Sequence, residues 1–434
     1  MSGEDHQSHP LMLAKAFFGA PRFSAALTLA IIGAELGSLF FRDLVGWPGA
    51  LGILATLVIL AVLSLIAQRD EIEWHGLLPV SLLVFVGWAG VSVFWSQYQW
   101  VTFGSVVYLG AVTMLGIYVA LVRDTIQIAR AFGDVLRLAL VLSLALEIIS
   151  GLLIDTPLHF LGIQGRLGHL GPIQGIFGTR NELGIIVLIA IVTFGTEMRT
   201  RSVPRGLSIG SLSLAGVLLI LSRSPVAYGT FLLLVLATAA LYGLRRVPAE
   251  SKRFWQAGLL VATVTIAGVA WAARVSIITA LSASAELNLR LGLWRPMRLF
   301  IPEHELEGWG WAGYWRLDLP PFQVFTSAGN PSPTSGLNAF LDVWLQVGLI
   351  GLVAFVGLVA LTFVRSWLLA SKQRSFVYAW PALVLVVLIT TALAESSILV
   401  EFGWLTFVVC CVKASRELSW RRAFAETAPS DASV

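Results

Sequence analysis

Charge is what this sequence has least of. Of its 434 residues 12% are charged and 57% are hydrophobic, and the mean hydropathy is +0.83. A soluble domain carries about 25% charged residues. An apolar surplus this large does not fit inside one water-soluble core. It needs lipid as its solvent, where only helices and closed barrels keep every backbone polar group satisfied. The apolar runs are about 20 residues long, the length a helix needs to cross the hydrocarbon, whereas barrel strands would show segments of about 10 residues with alternating polarity. The chain therefore reads as an all-α polytopic membrane protein. A net charge of only +4 leaves no large basic surface, so nucleic acid is not an expected partner. Cysteine is almost missing: Cys410 and Cys411 are adjacent in an apolar run, which excludes a disulfide framework and metal-type spacing and leaves them as apolar filler. Ser2 to Pro10 is polar and the first long apolar run starts near Phe23 with no small-residue site after it, so no cleavable signal is expected.

What is present is a succession of apolar runs separated by short polar breaks. They predict about twelve transmembrane helices, over 22–41, 48–67, 76–95, 101–122, 133–154, 182–197, 204–221, 224–244, 255–279, 337–364, 376–395 and 400–414. Pro48, Pro204 and Pro225 fall at helix starts, where a missing amide proton costs least. With the amino terminus (1–21) in the cytoplasm and the spans alternating, nine cations face outward or lie near the outer ends: Arg42, Arg166, Arg180, Arg223, Arg274, Arg290, Arg295, Arg298 and Arg316. The other 20 of the 29 lie inside, and that bias sets the orientation. Both termini are then cytoplasmic, with 415–434 as a tail. Helices one to nine occupy 22–279 and ten to twelve occupy 337–414. Between them 280–336 reads as a long outer loop, carrying Glu303, His304, Glu305, Glu307 and the cluster Trp309, Trp311, Tyr314 and Trp315. Loops of such length are usually functional or disordered, and tryptophan density argues against disorder. Gly308, Gly310 and Gly313 predict a tight irregular turn; its aromatics suit an interfacial belt or stacking on sugar rings. No internal repeat is visible, which disfavours inverted-repeat transporters.

The outer cations are all arginine, while the four lysines are all cytoplasmic. Guanidinium binds phosphate oxygens through a planar fork and never loses its proton. Arginines gathered at the outer surface suit a diphosphate whose lipid tail stays in the bilayer; the plain alternative is snorkelling or pairing with a nearby carboxylate. Arg223, in Leu-Ser-Arg-Ser-Pro, separates two apolar spans. Arg290, Trp294 and Arg298 follow at four-residue steps on one helical face, although Pro296 is expected to break a helix just before Arg298. Thr179-Arg180-Asn181-Glu182 opens a span from outside, where a helix start favours an anion or simply a cap. No Asp-x-Asp or carboxylate pair calls for a metal, and no cofactor motif or nucleotide-binding motif is present.

Several segments taken together resemble the O-antigen ligase and polymerase superfamily of bacterial envelope proteins. They are Gly175-Ile-Phe-Gly-Thr-Arg-Asn181, Leu221-Ser-Arg-Ser224, Arg290 to Trp294 with Gly308-Trp-Gly310, Asn338-Ala-Phe-Leu341 leading into Gly348-Leu-Ile-Gly351, and Glu395-Ser396. The resemblance covers roughly residues 170 to 405. It implies a GT-C-like fold in the bacterial inner membrane and an inverting, metal-independent transferase. Such an enzyme moves a glycan from a polyprenyl-diphosphate carrier to a hydroxyl of a glycan, lipid or protein acceptor on the extracytoplasmic face. By that resemblance Arg223 and Arg290, with Arg180 and Arg298, bind the diphosphate and stabilise the leaving group, and Asn181, Trp294 and Asn338 contact substrate.

One position departs from the pattern. Many members carry His-Asn where the long loop meets the next helix, with the histidine as the proposed base, and here it reads Leu337-Asn338. Leucine accepts no proton, so another group serves or the chain is inactive. The replacement candidates are Asp342, one turn past Asn338 on the same face, His304 and Glu395, followed by Glu303 and Asp318; Glu395 could equally orient an arginine. His159 and His169 read as solvated. The competing class is a transporter or flippase of a lipid-linked glycan, for which the mid-span carboxylates Glu35 and Glu147 would be the ionisable groups.

Overall fold

A computed structural model describes residues 5–70, 79–169, 171–280, 283–327, 332–373 and 375–417. Among them are fifteen α-helices and no strand, apart from one isolated pairing of Leu158 with Ile163. The helices are α1 (Asp5–Phe18), α2 (Pro21–Leu36), α3 (Ser38–Ala67), α4 (Val80–Val91), α5 (Gln99–Val122), α6 (Thr125–Ile148), α7 (Arg180–Thr200), α8 (Arg205–Ser222) and α9 (Pro225–Arg246). They continue as α10 (Lys252–Ala272), α11 (Arg274–Ala280), α12 (Ser284–Phe300), α13 (Ala339–Lys372), α14 (Ala379–Thr391) and α15 (Glu401–Glu417). The chain is an all-helical protein of polytopic membrane character. The tail beyond residue 417 lies outside the described residues, and so do the side chains of His159 and His169.

Among the described residues seven helices are long and apolar enough to cross a bilayer: α3, α5, α6 with its π-turn to Leu153, α7, α8, α9 and α13. The number becomes eight if Met12–Phe18 and Pro21–Leu36, bent by 53°, make one span. This is fewer than the twelve expected. The run at 76–95 is helical in α4 and a short 3-10 turn to Phe94, and the run at 376–395 in α14 with a 3-10 turn before it. At 1.5 Å per residue α4 and α14 extend only about 18–20 Å, against roughly 30 Å of hydrocarbon. α14 need not meet lipid at all. It packs among α7, α9, α13 and α15, and Trp380, Ala382, Val384, Leu385 and Val387 on it are fully buried. α15 is equally enclosed, with every residue from Glu401 to Ala414 buried, Cys410 and Cys411 included as free thiols. A fully apolar helix with no polar face is the expected occupant of a bundle centre.

The described residues of the segment 280–336 are more ordered than an outer loop. α12 runs through Pro296 to Phe300, so the expected break before Arg298 does not occur. A proline inside a helix costs about 3 kcal/mol. Packing of Leu293, Met297 and Ile301, four residues apart and almost fully buried, offsets that cost. These residues join Trp309, Trp315, Phe322, Phe325 and Leu345 in a second, smaller core. Trp309, Trp311 and Trp315 are at most 7% exposed, so they form neither an interfacial belt nor a platform for sugar rings. Trp311 instead stands edge-on to Phe85 of α4, 5.9 Å between ring centres. The glycines around them take positive φ, as their spacing predicts: Gly308 +74°, Gly310 +108° and Gly313 +65°.

This turn docks into a break in α13. Val347 leaves helical geometry and Gly348 adopts φ 68°, ψ −173°, a region essentially closed to residues with a Cβ. The freed backbone groups find partners in the segment before it. Leu345 and Gln346 carbonyls accept from Trp309 and Gly310 amides at 3.0 and 2.8 Å, and the Leu349 amide donates to the Glu305 carbonyl at 2.8 Å. A Cβ on Gly348 would run into the Leu306 carbonyl and the Glu307 amide. Gly348→Ala is therefore expected to destabilise by about 3 kcal/mol or more, read as a lowered unfolding midpoint in detergent, while Gly357→Ala, with open space around it, should change little.

Candidate functional site

Three helix N-termini meet at one end of the bundle, each capped by a side chain of its own. Thr179 Oγ1 accepts from the Glu182 amide at 3.1 Å to start α7. Ser224 Oγ accepts from the Ala227 amide at 3.1 Å to start α9, with Pro225 in the first turn. Asn338 Oδ1 accepts from the Phe340 and Leu341 amides at 3.0 and 3.1 Å to start α13. Each cap satisfies orphan amides, and each terminus brings roughly half a positive charge.

The turn after α14 ties these ends together. Ser224 Oγ donates to Asn181 Oδ1 at 2.6 Å, and Asn181 Nδ2 donates to Glu395 Oε1 at 2.7 Å. Arg290 of α12 reaches the same oxygen through Nη2 at 2.8 Å, and its Nε donates to the Ala394 carbonyl at 2.9 Å. The Arg290 Nη1 meets Glu286 Oε2 at 3.2 Å, and the other Glu286 oxygen takes Arg180. Arg180, Asn181, Arg290 and Glu395, all expected at the site, thus form one connected network. Glu395 Oε2 has no hydrogen-bond partner among the described residues. Burial pushes the Glu395 carboxyl above its ordinary value, against the opposing pull of Arg290 and Asn181.

A second set of bonds holds the head of α13. Asp342 Oδ1 accepts from Trp315 Nε1 at 2.7 Å, and Oδ2 accepts from Ser396 Oγ at 2.5 Å and the Gly336 amide at 2.9 Å. Ser396 Oγ accepts in turn from the Asn338 amide at 3.2 Å. Trp294 donates to the Gly336 carbonyl at 2.8 Å, and Asn338 Nδ2 to the Leu393 carbonyl at 3.0 Å. Asp342 is 1% exposed, and three donors converge on its carboxylate. Leu337, the position that departs from the resemblance, has φ +50°, left-handed backbone that costs a non-glycine residue about 1–2 kcal/mol.

The remaining expected residues lie apart. Arg223 caps α8 in left-handed backbone, φ +48°. It is exposed beside Ser224, with no side-chain partner among the described residues. Arg298 is exposed: eight residues past Arg290, it is turned about 80° around the helix. His304 bonds Glu307 through Nδ1 at 2.9 Å and lies edge-on to Trp309, 4.6 Å between ring centres, and neither neighbour belongs to the network. Glu303 is exposed, and Asp318 is exposed and pairs with Arg316.

Sequence reasoning missed Glu286 and gave no role to Ser224 and Ser396, which stand in segments that carry the resemblance; these three residues make the links between segments. Glu286 sits four residues before Arg290, an ion-pair spacing that would have flagged it. It also missed a second polar centre: Glu401, φ +46°, takes Arg42 at 2.6 Å and Ser38. Glu401 borders a cavity of about 650 Å³ lined by Trp47, Trp100, Tyr108, Trp311, Tyr314 and Trp404. Glu147 holds the Gln174 and Gly175 amides through Oε1 at 3.1 and 3.0 Å, and its Oε2, like Oε2 of buried Glu35, has no partner among the described residues. Compared with models of known protein families and with curated proteins, the chain matches none.

Proposed function

We propose that the chain is a membrane-embedded, GT-C-like, inverting and metal-independent glycosyltransferase of the O-antigen ligase and polymerase type. It would act in a bacterial inner membrane, on the extracytoplasmic face, on a polyprenyl-diphosphate-linked saccharide. The observation that carries this reading is the shared network of Asn181, Arg290 and Glu395, drawn from three distant segments and joined to Ser224, the residue next to exposed Arg223. Three capped helix N-termini add to the attraction for an anion there. The Glu286 carboxylate bridges Arg180 and Arg290 as a substrate phosphate would, so the two guanidiniums already hold an oxyanion geometry. Non-glycine residues in left-handed backbone at Arg223, Leu337 and Glu401 fit the strain that functional sites retain.

In the reaction the acceptor hydroxyl oxygen attacks the anomeric carbon, the bond from that carbon to the diphosphate oxygen breaks, and the diphosphate leaves with the electron pair. Arg223 and Arg290 take up the charge that grows on it. The hydroxyl proton goes to Glu395 Oε2, the open carboxylate oxygen, in place of the histidine that Leu337 replaces; Asp342 is buried and already accepts three bonds, and His304 lies elsewhere. The test is purified protein in liposomes with the lipid-linked glycan and an acceptor, following release of the diphosphate carrier. Arg223→Ala should lower turnover about 100-fold and leave the unfolding midpoint unchanged, since its side chain is exposed and bonds none of the described residues. A transporter is the second reading, favoured by the unpartnered oxygen of buried Glu35. Glycan that crosses the liposome membrane without carrier release, and stops crossing in Glu35→Gln, would replace the transferase with it.

A further inference from the structure

At the end of the bundle opposite the Arg290 network, five cations surround one cavity. Arg199 comes from the last turn of α7, Arg245 and Arg246 from that of α9, Lys252 from the start of α10 and Lys372 from the end of α13; the cavity measures about 530 Å³. No carboxylate is among the described residues that line it. The simple explanation is that each cation complements a helix C-terminus. Three C-termini supply roughly −1.5 charges in total against five cations, which leaves a surplus of about 3.5 positive charges in a partly enclosed space.

Four of these cations are also tethered at the rim, Arg245 and Lys252 half-buried and Arg199 and Arg246 exposed like Lys372. Arg245 Nη2 donates to the Gln373 and Ser375 carbonyls at 2.7 and 2.6 Å, and Lys252 donates to the Ser371 carbonyl at 3.1 Å. Arg199 and Arg245 both lie over the Phe376 ring, at 5.7 and 5.3 Å from its centre, and Arg246 lies over Tyr242 at 4.5 Å. Like charges fixed around a hollow repel one another unless an anion sits between them. We propose that this cavity binds a phosphate-bearing anion, either the headgroup of an anionic lipid or a free phosphate compound. Planar guanidiniums and ammonium groups together match phosphate oxygens, and basic pockets between membrane helices take such headgroups. The proposal does not depend on the transferase reading.

Native mass spectrometry of the full chain in neutral detergent tests it, with phosphatidylglycerol, phosphatidylcholine or inorganic phosphate added separately. Selective retention of phosphatidylglycerol over phosphatidylcholine is expected, weakened about tenfold or more in Arg199→Gln/Lys372→Gln, whose side chains bond no backbone carbonyl. Retained lipid that phosphate does not displace identifies a lipid headgroup; displacement by phosphate, or retention of phosphate alone, identifies a free phosphate compound. Equal retention of the two lipids without phosphate binding overturns the site, and so does undiminished binding in a variant that elutes as a folded monodisperse species. The contrast between the two lipids decides the matter on the unaltered protein, should the variant fail to fold.

Discussion

Asp342→Ala should destabilise the protein by about 3–5 kcal/mol, because three donors lose their acceptor at once. Trp315 Nε1, Ser396 Oγ and the Gly336 amide all end on this carboxylate, in a place that is 1% exposed. Each unmet buried donor costs roughly 1–3 kcal/mol, and small side-chain shifts recover part of the sum. The damage should spread, since Ser396 also receives the Asn338 amide at the cap of α13. Asp342→Asn keeps one carbonyl oxygen for Trp315 and lets Ser396 turn its hydroxyl, so its expected loss is about half. Thermal unfolding in detergent should show the alanine midpoint lowered by roughly 5–10 °C and the asparagine midpoint between it and the parent. If Asp342 were the base instead, Asp342→Asn would keep the parent midpoint and abolish carrier release. That outcome would move the catalytic proton from Glu395 to Asp342.

The features legible in the sequence were those set by local chemistry. Runs near 20 apolar residues give helices, and the cap at Thr179 follows from a polar side chain standing before its helix. Lengths were less legible where tertiary packing decides. α14 and α15 look like ordinary spans, and only the assembled bundle makes these short helices interior ones. Pro296 carries a local signal to stop, and Leu293, Met297 and Ile301 override it by burial against residues far along the chain. The tryptophans from Trp309 to Trp315 have a composition that suits a surface belt, yet they are buried because the break at Gly348 opens a slot for their turn. No local pattern reveals that slot, although Gly348 itself marks a backbone that only glycine takes easily.

The site divides the same way. Arg180, Asn181, Arg290 and Glu395 are brought together, and each stands at an element end or on a polar helix face, where sequence gives a signal. Ser224 and Ser396 carry no such signal; a serine becomes a bridge only when two distant segments supply its partners. His304 drew attention by its chemistry, but its position follows the turn at the α13 break, away from the network. Arg298 fails for a geometric reason: eight residues is not a whole number of helical turns.

Removing Glu395 tests whether Arg290 is held by the fold or waits for substrate. Arg290 is 6% exposed, and its Nη2 ends on Glu395. A buried guanidinium stripped of its carboxylate typically costs 3–5 kcal/mol. Glu286 remains as a second partner, so Glu395→Ala is expected to cost about 2–4 kcal/mol, with Asn181 also losing its acceptor. The matching loss from Arg290→Met should be of similar size, and the double variant should lose less than the sum by about 1–3 kcal/mol, the signature of a direct couple. Added inorganic pyrophosphate separates the two roles. In Glu395→Ala the uncovered guanidinium should take pyrophosphate as a replacement anion, and the unfolding midpoint should rise towards the parent value by mass action. In Arg290→Met the same addition should do nothing. A cycle with no coupling energy, together with equal responses to pyrophosphate in both single variants, would mean that Arg290 is neither paired nor poised for a diphosphate, and the transferase reading would lose its main cation.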